Sequence, residues 1–420
     1  MKVHPYIFII SIILLCGTVF SDDTAFISME GDCRYPALTS EGNGVYMTWL
    51  ARTKRPSHVN FIRSGDGGTA WSDVRQISGK DSDCMPPALA AVSGTVHCAW
   101  VDCGEVIEGE LHYTRSLDSG ITWKNNTVIV DNVKSATNPM ICGSGNNVYL
   151  IWQDVAANVF FKASRDKGET WEDAQELGDV GKHSCYCFPP ALSMKGDTLT
   201  VVWNDLSSPG KGKKRSHFKA RADTSTLISS VICRISTDNG RTWSRERILM
   251  SKPVAKETID EVDNPVFFSN GVLTWLFWQD KHDLPLGEIL FTGTGTLTKT
   301  NHLAGKPLYP APKRSPKCPS AVFDDHGNLH LVWTSKSRGM SVVHYGAIDS
   351  SGKELKEKID LTTADAWYQN PVIARTTSGA LHVCWFNKSK DKKDRSRIYL
   401  KTSGNNGLTW ETRVLQPEEQ

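Results

Sequence analysis

Short apolar runs separated by turn residues recur along the chain with a regular period. Each unit begins at a proline, which is followed by an apolar run and a Gly-containing turn. A second apolar run comes next, and its last residue is a tryptophan. The seven prolines are Pro36, Pro87, Pro139, Pro190, Pro265, Pro319 and Pro371, and the tryptophans are Trp49, Trp100, Trp152, Trp203, Trp278, Trp333 and Trp385. Short runs bounded by turn residues predict β-strands, and a fixed period predicts a repeat architecture.

A third apolar run in the unit leads into a turn of the form Ser-x-Asp-x-Gly-x-Thr-Trp. Five copies are recognisable, and they start at Ser64, Ser116, Ser164, Ser236 and Ser403; the first has Thr and Ala exchanged and the last has Asn in place of Asp. A short Asp side chain accepts backbone N–H bonds within a turn, and Gly adopts the positive φ that other residues resist. We expect a fourth short strand after each turn, such as 74–77 or 247–249.

Four short strands in about 50 residues are typical of one blade of a β-propeller, because a single such sheet must stack on its neighbours to bury both faces. The sequence therefore predicts an all-β, seven-bladed β-propeller of four-stranded antiparallel blades, with a six-bladed propeller as the alternative. The expected blades span about 22–79, 80–131, 132–181, 182–250, 251–305, 306–360 and 361–416.

The amino end is expected to be a signal peptide rather than part of the fold. Lys2 and His4 precede an apolar run that ends at Leu15, and small residues lie before Asp22. We therefore predict a signal peptide at 1–21, a single propeller domain at 22–420, and an extracellular (or, in a bacterium, periplasmic) protein with no membrane span. The 10 cysteines beyond residue 21 permit disulfides, whose pairing the sequence does not define.

The charge balance narrows the class of partner. The chain has 48 Lys and Arg against 46 Asp and Glu, a formal net charge of +2, which does not suit a general polyanion binder, and we expect no nucleic-acid partner. No cluster of His and Cys has the spacing of metal ligands, so no metal or other cofactor is predicted.

The Asp-containing turns resemble the Asp-box, or BNR, repeats of the sialidase superfamily, and the resemblance extends over nearly the whole chain after residue 21. In that superfamily the boxes lie on the blade edge away from the catalytic face, which implies a structural role for them here. The resemblance also implies a glycan-directed protein, and for sialidases themselves a six-bladed fold.

The same resemblance suggests two arginines for binding a substrate carboxylate. Sialidases clamp a carboxylate with three arginines, whose guanidinium groups each offer two parallel N–H donors. The segment Arg34-Tyr35-Pro36 resembles the family's Arg-Ile-Pro element, and Arg52 follows the second strand at a similar spacing. Arg34 also permits a structural interpretation, as the variable residue before a blade proline. Tyr368 lies near the start of an inner strand, where the family has its nucleophile, and we include it among the predicted substrate-binding residues.

A ring of polar residues follows the blade tryptophans by two positions. Four of its members are acidic, and the other two are Ser335 and Asn387; the acidic ones are Asp102, Asp154, Asp205 and Asp280. Asp83 and Asp263 precede inner strands and should face the same end. Neighbouring carboxylates raise one another's pKa, as an acid/base pair requires, so Asp83, Asp102 and Asp263 are predicted catalytic residues, and Asp154, Asp205 and Asp280 predicted substrate-binding residues. The alternative is that these residues cap the end of the second strand.

Two functions follow, and the sequence leaves both open. The first is an exported glycosidase that acts on acidic, carboxylate-bearing sugars. The second is a non-catalytic propeller that binds carbohydrate or protein, because the segment 53–58 contains no carboxylate and no repeat combines the family's Tyr with a Glu. A basic insertion at about 207–226 suits an anionic glycan, or else is only a solvated loop.

Overall fold

A computed structural model of the chain describes residues 26, 32–52, 56–103, 109–130, 136–154, 158–178, 183–184, 189–207, 228–253, 262–269, 274–280, 288–294, 306–307, 315–337, 340–363, 366–388 and 396–413. The predicted signal peptide lies outside these residues, as does all but the first residue of the predicted basic insertion. Within this part of the chain, no helix has the length and apolarity needed to cross a membrane.

The described strands pair into seven antiparallel sheets, which follow one another in chain order. The first three sheets contain β1 (Asp32–Glu41), β2 (Gly44–Arg52), β3 (His58–Ser64) and β4 (Arg75–Gln76); β5 (Ala88–Val92), β6 (Thr95–Asp102), β7 (Glu110–Ser116) and β8 (Thr127–Val130); and β9 (Thr137–Ser144), β10 (Asn147–Gln153), β11 (Val159–Ser164) and β12 (Gln175–Glu176). The fourth contains β13 (His183–Ser184), β14 (Ala191–Lys195), β15 (Thr198–Ser207), β16 (Ile228–Ser236) and β17 (Arg247–Pro253).

The last three sheets have the same plan. They contain β18 (Val262–Ser269), β19 (Thr274–Asp280), β20 (Glu288–Thr294) and β21 (Lys306–Pro307); β22 (Ser315–Phe323), β23 (Leu329–Ser337), β24 (Met340–Ile348) and β25 (Glu354–Asp360); and β26 (Tyr368–Arg375), β27 (Leu381–Asn387), β28 (Ile398–Ser403) and β29 (Glu411–Arg413). In the fourth sheet β13 and β14 both pair with β15, so two short strands share the inner position.

The inner strands of the sheets pack in a closed ring. Consecutive contacts run from β1 to β5, β9, β14, β18, β22 and β26, and β26 contacts β1 again. The predicted all-β propeller of four-stranded antiparallel blades is therefore confirmed.

The blade tryptophans lie between sheets. Trp100 packs with Tyr46, Val59 and Phe61 of the first sheet, and Trp49 packs with Cys384 and other residues of the last. Trp152, Trp203, Trp333 and Trp385 likewise join clusters with the preceding sheet and are 2–3% exposed. Removing such a side chain from a core costs about 3–5 kcal/mol, so these residues stabilise the stacking of one sheet on the next.

Positive φ angles recur just before the blade prolines. Tyr35, Asn138 and Asn370 have φ between 48° and 52°, and the ladder register shifts there in the first and last sheets. Asn adopts this conformation readily and a Tyr does not, so the backbone at Tyr35 is held by its surroundings. Its ring packs 5.1 Å from that of Phe386 on the last sheet, measured between centroids.

Six described cysteines are free thiols: Cys84, Cys98, Cys103, Cys142, Cys233 and Cys384. Burial is the main cause of the raised pKa of Cys84 and Cys142, each to about 12. They behave as small apolar core residues.

Candidate functional site

The antiparallel register brings the predicted site residues to one face of the propeller. Asp32 pairs with Arg52, Thr137 with Gln153, and Tyr368 with Asn387, so inner strands begin where second strands end. We call this edge of the sheets the upper face. The opposite edge, the lower face, contains the five Ser-x-Asp/Asn-x-Gly turns, which we call the Asp turns.

On the upper face, Arg34 is part of the seam where the ring closes. Its Nη2 donates to Asp32 Oδ2 at 2.6 Å, and its Nε donates to Ser396 Oγ at 3.1 Å. Asp32 Oδ1 accepts the backbone N–H of Ser396 at 2.9 Å, and the Cys33 N–H donates to the Ser396 carbonyl. The pair therefore ties the first sheet to the segment before β28 in the last, and the charge of Arg34 is balanced by Asp32.

Arg52 is exposed at the end of β2, opposite Asp32 in the ladder. The two predicted arginines thus lie on the same edge of the first sheet, with Asp32 beside both. Arg52 is the more accessible of the two for a ligand.

Asp83 and Asp102 lie together at the junction of the first two sheets. The Asp102 carboxylate accepts the backbone N–H of Asp83 at 3.0 Å. Asp83 Oδ1 accepts the Ser57 N–H at 3.1 Å and the Ser57 hydroxyl at 2.7 Å. Burial, followed by the charges of Asp83 and Asp102, raises the pKa of the neighbouring Cys103 thiol. Asp83 and Asp102 are therefore joined through a backbone N–H, and both carboxylates accept protein hydrogen bonds.

Asp154 closes its own loop. Its Oδ1 accepts the Asn158 N–H at 2.8 Å and its Oδ2 accepts the Asn158 side-chain amide at 3.0 Å. Asn387, at the same repeat position, accepts the Arg397 N–H at 2.7 Å. At these two positions the side chain caps the end of the second strand.

The remaining predicted residues are spread around the ring. Asp205 is 2% exposed in β15, and Tyr368 is 4% exposed in β26, where its ring packs edge-on against Tyr399 and Trp385. Asp263 and Asp280 lie in β18 and β19, and their side chains are outside the described part of the structure. The structure places Arg34 and Arg52 on one edge of the first sheet and joins Asp83 to Asp102. Asp263 and Asp280 share the fifth sheet, and the other three lie in three different sheets: Asp154, Asp205 and Tyr368.

An aromatic and basic cluster lies where the last two sheets meet on the upper face. The Nζ atoms of Lys336 and Lys388 lie 4.3 and 4.7 Å from the centre of the Trp367 ring. The Lys388 N–H donates to the Trp367 carbonyl at 2.7 Å, which holds the segment against β27. Two ammonium groups over one indole form a patch with an apolar surface and two positive charges. We call it the Trp367 cluster.

The Trp367 cluster was not predicted from the sequence, although each of its members is next to a residue that was predicted. Lys336 follows Ser335, Lys388 follows Asn387, and Trp367 precedes Tyr368. The signal available in the sequence was that two successive repeats place lysine directly after the polar ring position.

Within the residues that the structure describes, no three His, Cys, Asp or Glu side chains group as metal ligands.

Comparison with known proteins defines the fold. No protein-family model and no curated protein sequence matches the chain. Among solved structures, an ulvan lyase of polysaccharide lyase family PL25 aligns with a TM-score of 0.60 and 13% identity over 89% of this chain and 95% of its own. A protein of unknown function from Dyadobacter fermentans aligns with a TM-score of 0.53 and 10% identity over 93% and 97%. A Trypanosoma rangeli sialidase aligns with a TM-score of 0.44 and 11% identity over 76% and 55%. At these identities, the likeness to the first two proteins shows that the chain has their fold, in agreement with its strand pairing.

Proposed function

We propose that this chain is an exported, glycan-directed propeller whose upper face takes an acidic sugar chain. We infer that each of the seven sheets is one blade, and that the Asp turns are the Asp boxes of sialidase-like propellers. The observation that carries the proposal is the Trp367 cluster, an indole with two ammonium groups on the predicted functional face.

The chemistry of the cluster suits a sugar that bears a carboxylate or sulfate. An indole face offers a large apolar surface for the C–H side of a sugar ring. The Lys336 and Lys388 ammonium groups form charge-assisted hydrogen bonds with anionic oxygens. Arg52, exposed on the same face at the adjoining first blade, adds a bidentate donor.

The structural neighbours favour the same class of ligand. The ulvan lyase has been solved bound to -[GlcA(1-4)Rha3S]-, a glycan with a uronic acid and a sulfated sugar. That ligand belongs to that protein, and it supports the proposal by showing that a propeller of this shape accommodates such a glycan.

Whether the chain cleaves the glycan depends on the carboxylates at the first blade junction. In the catalytic form of the proposal, Arg34 and Arg52 contact the substrate carboxylate, and Asp83, Asp102 or Asp263 exchanges the proton at the glycosidic oxygen. In the alternative, the chain binds without cleaving. The alternative is favoured by the hydrogen bonds that Asp83 and Asp102 accept from Ser57 and from the Asp83 backbone.

Binding to a glycan array that contains uronate, sulfated, sialylated and neutral sugars tests the proposal. We expect binding to acidic glycans that weakens with salt. The double variant Lys336→Met/Lys388→Met should lose about 10–100-fold in affinity, and Trp367→Ala at least as much. Lys353→Met, an exposed lysine beside Gly352 on the lower face, is the matched control and should bind as the wild type does. Equal binding by the double variant and the wild type would rule out the Trp367 cluster as the site.

Hydrolysis of fluorogenic uronides and sialosides distinguishes a glycosidase from a protein that binds glycans without cleaving them. Release of fluorophore that is lost in Asp83→Asn or Asp102→Asn supports the glycosidase. Array binding with no release supports the binding protein.

A further inference from the structure

Three strands of the sixth blade carry a serine, a histidine and an aspartate on one side of the sheet. Ser335 is in β23, His344 in β24 and Asp360 in β25, and His344 is the ladder partner of both Trp333 and Asp360. Side chains of directly paired residues point to the same side, and Ser335 shares that side with Trp333 two positions earlier.

The three side chains form a continuous hydrogen-bonded relay. Ser335 Oγ lies 2.5 Å from His344 Nε2, and His344 Nδ1 lies 2.7 Å from Asp360 Oδ1. Lys358 Nζ also lies 3.3 Å from Nδ1, but the Asp360 contact is the shorter one. An ionised carboxylate only accepts, so Nδ1 carries the proton and Nε2 is left to accept from the serine hydroxyl. Burial opposes ionisation of Asp360, but hydrogen bonds from Lys358 and His344 outweigh it and lower the pKa of the carboxyl group.

The second blade has a histidine at the position of His344 but no such relay. Packing against the blade tryptophan therefore accounts for the histidine and does not account for the serine and aspartate bonded to it. His112 occupies the same repeat position as His344 and stacks on Trp100, as His344 packs on Trp333. Its Nε2 instead meets Glu110 Oε2 at 3.1 Å, and the residue two after Trp100 is Asp102 rather than serine. The sixth blade therefore has a nucleophile where the second has a carboxylate.

Ser335 also departs from its counterparts on the upper face. At the same repeat position, Asp154 and Asn387 accept N–H groups of their own loops. A serine that donates to a histidine, which in turn donates to a carboxylate, has the order of groups that activates a hydroxyl for attack.

We propose that Ser335, His344 and Asp360 form a catalytic triad that hydrolyses carboxylic esters of small acyl groups. Ser335 Oγ attacks the acyl carbon as its proton passes to His344 Nε2. The alcohol leaves with that proton, and water then cleaves the acyl-serine to release the acid and restore the hydroxyl. Ser335 and His344 are each 4% exposed, so we propose small acyl groups such as acetyl as the substrates. The proposal does not rest on glycan binding by the Trp367 cluster.

Methanesulfonyl fluoride is the probe, because its sulfonyl group is as small as acetyl. The serine oxygen displaces fluoride while His344 takes the proton, and the full chain is then digested and analysed by mass spectrometry. We expect sulfonylation of Ser335. Ser341, a buried serine of the next strand that donates to the Tyr368 carbonyl, is an internal control and should stay unmodified. Hydrolysis of 4-nitrophenyl acetate should be lost in Ser335→Ala.

The matched histidine variants separate catalysis from packing. His344→Gln should slow labelling of Ser335 by about 100-fold or more, whereas His112→Gln, which disturbs the equivalent stacking, should leave the rate within about twofold. Should His344→Gln fail to fold by circular dichroism, Asp360→Asn at the half-exposed end of the relay replaces it, with an expected loss of about tenfold or more. Labelling of Ser335 no faster than of Ser341, or equal labelling in the folded variant and the wild type, would overturn the triad.

Discussion

The two faces of the propeller use the repeat in opposite ways. On the lower face the Asp turns repeat the same bonds: the Ser hydroxyl donates to Asp Oδ1 at 2.7 Å in four copies, and at 2.9 Å to the Asn of the fifth. In every copy the Gly N–H donates to the Ser hydroxyl at 2.7–2.8 Å.

On the upper face one repeat position has different partners in different blades. Asp102 accepts from the Asp83 backbone, Asp154 and Asn387 close their loops, and Ser335 contacts His344. Identical contacts in five blades stabilise the ring, whereas a position whose contacts vary from blade to blade is available for binding or chemistry. The difference indicates that function is to be sought where the repeat departs from itself.

The lower-face turns also lock neighbouring blades together. A Cβ added to Gly168 would collide with Tyr113 of the preceding blade, and one added to Gly120 or Gly240 would collide with Phe61 or Phe161. The turn tryptophans pack edge-on against the same aromatic rings: Trp123 on Phe61, Trp171 on Tyr113 and Trp243 on Phe161. The Asp turns are therefore contacts between blades as well as hairpin ends.

The largest expected effect is that of Gly168→Ala. Gly168 has φ 80°, and its Cβ would meet the Tyr113 hydroxyl, so left-handed strain and overpacking together should lower the free energy of unfolding by about 3–4 kcal/mol. Gly145→Ala is the control, with φ 59° and open space around it, and should cost about 1 kcal/mol. Urea denaturation measures both. Equal losses would show that the inter-blade contact adds nothing.

Acid should destabilise the protein through two histidines that are buried near the Asp turns, His97 and His382. Burial first, then Arg115 and Lys167, lower the pKa of His97 to about 3, and burial and Arg413 lower that of His382 to about 4. The unfolded chain binds these protons below about pH 6.5 and the folded chain does not, so the free energy of unfolding falls as the pH drops from 6.5 towards 4. His97 alone should account for a loss of about 2–3 kcal/mol at pH 4.5.

The stability profile of His97→Phe measures that contribution. The slope between pH 6.5 and 4.5 should become shallower, whereas His326→Gln, whose side chain is 81% exposed, should leave the slope unchanged. An unaltered slope in His97→Phe would contradict the assignment.

Breaking the seam at Arg34 should have a smaller effect. Asp32→Ala removes the acceptor for Arg34 and for the Ser396 N–H, and because both side chains are about one-third exposed we expect a loss of about 1 kcal/mol in unfolding free energy. Glu411→Gln, at an exposed ion pair with Arg413, is the control and should change stability by less than about 0.5 kcal/mol. Asp32→Ala also tests whether Arg34 binds the ligand. A higher glycan affinity once Arg34 has lost its Asp32 partner would favour a carboxylate-binding role for Arg34.

The smallest effect is expected for Asp118→Asn. Asn405 already occupies the equivalent place, and its Oδ1 accepts the Thr409 N–H at 2.9 Å, as Asp118 Oδ1 accepts the Thr122 N–H at 2.8 Å. The change should cost about 0.5 kcal/mol, against about 1 kcal/mol for Asp118→Ala. Burial opposes ionisation of Asp118, but the hydrogen bonds that Thr122 and Ser116 donate together outweigh it and lower the pKa of Asp118 to about 2, so the Asn variant should lose less stability below pH 4. Equal acid sensitivity in variant and wild type would contradict this.

The sequence by itself determined the local features of this protein. Strand and turn signals lie within a few residues of one another, so the spacing of Pro36 and Trp49 predicted a blade, and the Ser116 to Thr122 motif predicted its turn. The antiparallel register that follows from such hairpins also placed Arg34, Arg52, Asp83 and Asp102 at one edge.

Only the tertiary structure decided which side chains meet across blades and across strands. Trp49 packs on the last blade rather than within its own, Arg34 pairs with Asp32 at the closing seam, and Lys336 and Lys388 converge on Trp367 from different blades. The Ser335, His344 and Asp360 relay likewise depends on ladder register. A repeat pattern specifies each unit, but contacts between residues far apart in the chain arise from how the units stack, and that geometry has no local signal in the sequence.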